Sequence, residues 1–160
     1  MPKGKNLGEI LCSQLKEVRI EFVSVLDTRG FTNSIRIGKT QFLVKYANRS
    51  ANRHWFGFSV KDVNSKKYSF ALLLIGSNDI ENIYAVPHNI LSRFLRQGKP
   101  VWVGNSNYEQ YEATIFPKRN YIMKVEHWPD DEFEVQTYQV HLIKDYFSSF
   151  KEPDITLQSS

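Results

Sequence analysis

The chain carries a single cysteine, Cys12, so no disulfide can form within it and a zinc site built from several thiolates is excluded. Cys12 falls in a helical pattern beside Leu11 and Leu15, which reads as core. No window approaches the ~18 consecutive apolar residues that cross a bilayer. The start, MPKGKNLGE, has basic residues but no apolar stretch of signal-peptide length. These gaps lead us to expect a cytoplasmic protein without membrane contact. Neither a Walker loop nor a G-x-G-x-x-G turn occurs, so those phosphate cradles are missing. The histidines, His54, His88, His127 and His141, lack a metal-ligand spacing such as H-x3-H. Acidic residues are outnumbered, 17 against 21 Lys and Arg, for a formal charge of +4, and a basic chain gains sequence-independent affinity for phosphates.

What is present is enough for a core. The 160 residues are 41% hydrophobic and 14% aromatic, too apolar for a disordered chain. The length predicts one domain over residues 1–150, followed by a polar, flexible tail over residues 151–160. Leu7, Ile10, Leu11, Leu15 and Val18 recur at helical spacing, and Asn6 with Glu9 resembles a capping box, predicting a helix over 6–18. Residues 19–26 read as a strand closed by a turn at Asp27–Gly30. Two strands, 34–37 and 40–47, should meet through Gly38-Lys39. Further strands are predicted at 55–60, at 68–75 as a run buried on both faces, and at 83–86. A helix should run from Pro87 to Gly98. Strands follow at 100–103, 111–116 and 121–125, and a last helix at 133–147, after an acidic turn that suits helix capping. The expected class is α/β in the broad α+β sense: a mixed, mainly antiparallel central sheet with N-terminal, middle and C-terminal helices.

The segment from Asn48 to Phe58 places two arginines, a histidine and two amides directly before three aromatics. Guanidinium groups pair with phosphates or guanine edges, asparagine reads adenine, and aromatic faces stack on unpaired bases. Arg49, Asn52, Arg53, His54 and Trp55 are therefore candidate nucleic-acid contacts, joined by Lys118 and Arg119 between two predicted strands. A plainer reading makes the segment a solvated loop leading into a core strand, with Trp55 and Phe56 buried.

The order of elements, with Leu43-Val44-Lys45 ending the third strand and Ile83-Tyr84-Ala85-Val86-Pro87 later, resembles the core of PD-(D/E)XK nucleases of the restriction-endonuclease-like fold, over roughly Gly4 to Leu95. The resemblance implies a catalytic site in which Lys45 polarises the attacking water, while Glu9 and Asp27 hold Mg2+. Leu43 stands where the family has a metal-binding carboxylate. Three explanations follow: a DNA-binding module whose active site is lost, an acid moved to Asp62, Asp79 or Glu81, or a fortuitous likeness. In strand alternation Gln41, Leu43 and Lys45 share one side, so Lys45 also reads as the end of a solvent-facing row.

The leading expectation is a nucleic-acid-binding domain for double-stranded DNA, of the kind found in restriction or defence systems. An Mg2+-dependent endonuclease with a rearranged site is the second. The third is a protein-interaction subunit, in a homo-oligomer or a larger complex, that offers exposed aromatics to another chain.

Overall fold

A computed structural model describes residues 3–17, 22–26, 32–48, 52–105, 107–126, 131–141 and 146–147. The first helix, α1 (Lys3–Glu17), buries Leu7, Leu11 and Leu15 completely, one residue every fourth position on a single face. It begins before Asn6, which therefore lies inside the helix rather than capping it. Once a helix has nucleated, each added residue gains a hydrogen bond at little cost, so it propagates back past a usable cap.

Strands β1 (Phe22–Leu26), β2 (Thr32–Ile37) and β3 (Thr40–Asn48) form the expected antiparallel meander. Gly38 opens the turn between β2 and β3 with φ of 59°, the left-handed value that a type II′ hairpin needs at its first position. The chain then leaves this sheet for β4 (His54–Ser59) and a short helix, α2 (Val60–Asn64). The Ser59 hydroxyl accepts a hydrogen bond from the Asp62 amide at 3.1 Å, a Ser-x-x-Asp cap that the sequence reading passed over. Strand β5 (Phe70–Gly76) returns to lie parallel to β3, and β6 (Ile80–Pro87) pairs antiparallel with it. The helix after Pro87, α3 (His88–Leu95), ends earlier than expected, and the chain turns through Gly98.

A second, antiparallel sheet follows. Strand β8 (Tyr108–Phe116) pairs along one edge with β4 and along the other with β7 (Val101–Val103) and β9 (Ile122–Val125). Residues 133–140, expected to be helical, instead make, with Glu132, β10 (Glu132–Phe133) on β9, a 3-10 turn (Val135–Tyr138), and β11 (Gln139–Val140) on β6. Both sheets present an open edge to this segment. Backbone pairing at those edges and full burial of Val135 outweigh the weak helical spacing of Val135, Tyr138 and Leu142. Among the described residues after 141, only 146–147 are helical.

The first sheet therefore runs β1-β2-β3-β5-β6-β11, and the molecule is a mixed α+β fold. Alternation along the central strands separates two cores. Leu43, Ala47, Leu73, Ile75, Tyr84 and Val86 face the second sheet, α2 and α3. Phe42, Val44, Leu72, Leu74, Ile83 and Ala85 face α1 and Phe147. This double burial is why residues 70–76 read as an unbroken apolar run.

Candidate nucleic-acid interface

Strand β4 sorts the aromatic segment by side. His54, Phe56 and Phe58 point inward, at 3%, 1% and 0% exposure, while Trp55 points outward and stays 47% exposed. His54, expected as a surface contact, is thus corrected to an interior residue. Burial lowers its pKa below the usual 6.5, against the raising effects of a backbone hydrogen bond at Asn48 and of the Glu81 charge. Among the described residues its Nδ1 has no hydrogen-bond partner.

The indole of Trp55 lies across the outer face of the second sheet. Its Nε1 donates to Glu126 Oε2 at 3.1 Å. Gly57 makes the pose possible, since a Cβ there would sit 2.9 Å from Trp55 Cη2. Thr114, the cross-strand partner of Trp55, is 2% exposed and its hydroxyl has no partner among the described residues.

Register brings distant basic residues together. His54 pairs with Ile115, and Phe116 pairs with Ile122. Asn52 and Arg53, leaving β4, therefore reach the same end of the second sheet as the turn Pro117–Arg119. Asn52, Arg53, Lys118 and Arg119 are all exposed. Arg53 and Lys118 have no carboxylate partner among the described residues, whereas Arg119 forms an ion pair with Glu132. That ion pair crosses a groove of about 770 Å3. One wall is the segment from Arg119 to Ile122, and the other includes Glu134, Gln136 and Thr137. Asn120 and Tyr121 both take φ of 55°, a left-handed conformation that costs a bulky residue ~1–2 kcal/mol. The hydrogen bond from Tyr121 N to Phe116 O, 3.0 Å, helps hold it.

Of the residues implied by the nuclease resemblance, the two described ones, Glu9 and Lys45, do not converge. Lys45 stands on the side of Leu43 and Ala47, with Nζ 5.9 Å from the Phe58 ring centroid. Glu9 is exposed on α1, which packs against the opposite face of the same sheet. The sheet separates them, and Asp27 lies outside the described residues, as does Arg49. Lys45 does not end a solvent-facing row either: Leu43 beside it is 2% exposed, because the second sheet covers that side. Of the alternative acids, Asp79 caps the β5–β6 turn by accepting from the Ile80 amide at 2.8 Å, and Glu81 is exposed near His54. Among the described residues no group of three or more His, Cys, Asp or Glu side chains is placed to hold a metal ion, and no helix is long and apolar enough to cross a membrane.

A second polar concavity, of about 440 Å3, lies at the opposite end of β3 and β4. Its basic residues, Arg36, Lys61 and Lys67, belong to no sequence motif. The hidden signal was the α2 cap, which places Lys61 and Asp62 in a helix facing β2. No family model, no curated protein and no solved structure matches this chain.

Proposed function

We propose that the protein binds nucleic acid at this end of the second sheet, with phosphates on Arg53 and Lys118 and an unpaired base on Trp55. The observation that carries this reading is the β4–β8 register, which gathers cations far apart in sequence beside one half-exposed indole. A flat aromatic on an open sheet face offers a stacking surface that only a splayed base reaches, so single strands suit it better than duplex. Glu126, which accepts from the indole, and Glu112, opposite Gly57, orient the strand by repelling its phosphates away from that side.

The test is fluorescence anisotropy with labelled single-stranded and duplex oligonucleotides over a salt series. With two phosphate contacts, log K should fall against log salt with a slope of about −1.4 for single strands. Arg53→Ala with Lys118→Ala should flatten that slope. Trp55→Ala should weaken single-strand binding by about tenfold, within the ~1–3 kcal/mol of one stacked base, and leave duplex binding unchanged. No binding to either form at low salt refutes the proposal.

A further inference from the structure

We propose that the concavity between β2, β3 and α2 is a binding site for a phosphate-bearing ligand of about mononucleotide size, independent of the Trp55 surface. In the β2–β3 pairing, Arg36 stands opposite Gln41 and Ser34 opposite Leu43. Alternation turns Ser34, Arg36 and Gln41 to the side on which the second sheet packs. At this end, the layer over the sheet is α2, and the sheet's inner face turns from apolar to polar. The facing wall is Lys61 and Asp62 of α2 with Lys67 and Tyr68, and Asn33 completes the lining.

Three cations and one carboxylate therefore surround one hollow. Arg36, Lys61 and Lys67 have no ion-pair partner among the described residues, and Lys67 Nζ rests 5.0 Å from the centroid of the Tyr68 ring. Three cations against the single Asp62 carboxylate leave the hollow net positive, and a bound anion relieves the repulsion among them. The polar groups are also mainly donors: a guanidinium fork, two ammoniums, two amides and a hydroxyl, which match the oxygens of a phosphate. The Tyr68 phenol, pushed up to about 12 by burial and then by the Asp62 charge, keeps its proton and remains a donor.

The α2 wall is held in place. His88 Nε2 bonds the carbonyl oxygen of Asp62 at 2.9 Å, and Ser92 Oγ donates to that of Val63 at 2.8 Å. Tyr68 packs against the His88 ring with centroids 5.6 Å apart. A wall fixed from behind in this way loses little entropy when a ligand arrives. The volume falls within the ~300–1,000 Å3 range of small-molecule sites.

Isothermal titration of the full chain tests this, using pyrophosphate, a nucleoside monophosphate, and short oligonucleotides with and without a 5′-phosphate, all at constant ionic strength. Saturable binding of pyrophosphate or the monophosphate is expected. It should weaken by about tenfold or more in Arg36→Gln with Lys67→Gln, whose side chains are exposed and whose circular dichroism should match the parent. It should be unchanged in Arg53→Ala with Lys118→Ala, which separates this site from the other surface. If the monophosphate binds as well as the 5′-phosphorylated strand, the source is a free nucleotide. If only the phosphorylated strand binds, and the Gln variant loses it, the source is a chain terminus. No saturable binding of any phosphate probe, or binding that survives the Gln variant, overturns the proposal.

Discussion

His54 and Trp55 are neighbours with opposite fates, decided by the alternation of β4 rather than by their chemistry. The imidazole is stripped of water, with one ring nitrogen lacking a partner among the described residues, and this burial disfavours its charged form. Its pKa is therefore lower in the folded chain than the 6.5 of the unfolded one. Between those two values the unfolded chain binds more protons, so stability falls as pH drops below about 6.5 and levels off beneath the folded value. Chemical denaturation of the parent and of His54→Gln between pH 7.5 and 5 should show the parent losing its advantage as pH falls. A difference that stays constant with pH would show that His54 does not titrate in this way. Trp55 could be recognised as an aromatic beside arginines, but the pose of its ring depends on Gly57, whose missing side chain leaves room for the indole.

Among the elements, the strands and α3 were legible because their apolar periodicity coincides with what the sheets bury. The C-terminal segment was not. Its spacing of Val135, Tyr138 and Leu142 satisfies a helix, yet the open edges of β9 and β6 claim the backbone first. Nothing local to residues 132–140 reports those edges. The β5–β6 turn shows the converse, a tight constraint marked by one glycine. A Cβ on Gly76 would lie 2.0 Å from the Asp79 carbonyl oxygen, which belongs to the backbone and cannot swing aside. Gly76→Ala should therefore cost about 1–3 kcal/mol, in the range of an overpacked site, read as a lower urea midpoint at an unchanged m-value. An unaltered midpoint would mean that the turn relaxes freely.

For the molecule as a whole, the central strands bind two cores into one cooperative unit, since Leu72 and Leu73 are adjacent in sequence and buried on opposite faces. Either replacement, Leu72→Ala or Leu73→Ala, should cost ~2–5 kcal/mol. Both should move a single transition in which far-ultraviolet dichroism and tryptophan fluorescence coincide. Two separated transitions in either variant would show that the cores unfold independently. The sequence by itself determined the mixed α+β class, the order of the strands up to β9 and the supply of cations and aromatics, because hydrophobic period and turn chemistry act over a few residues. Only the tertiary structure decided the parallel placement of β5 beside β3, the inward turn of His54, the separation of Glu9 from Lys45, and the placing of Arg53 and Lys118 at one end of the second sheet. Those outcomes depend on which strand edges and faces pair across the chain, and that pairing is settled by shared burial between segments far apart in sequence.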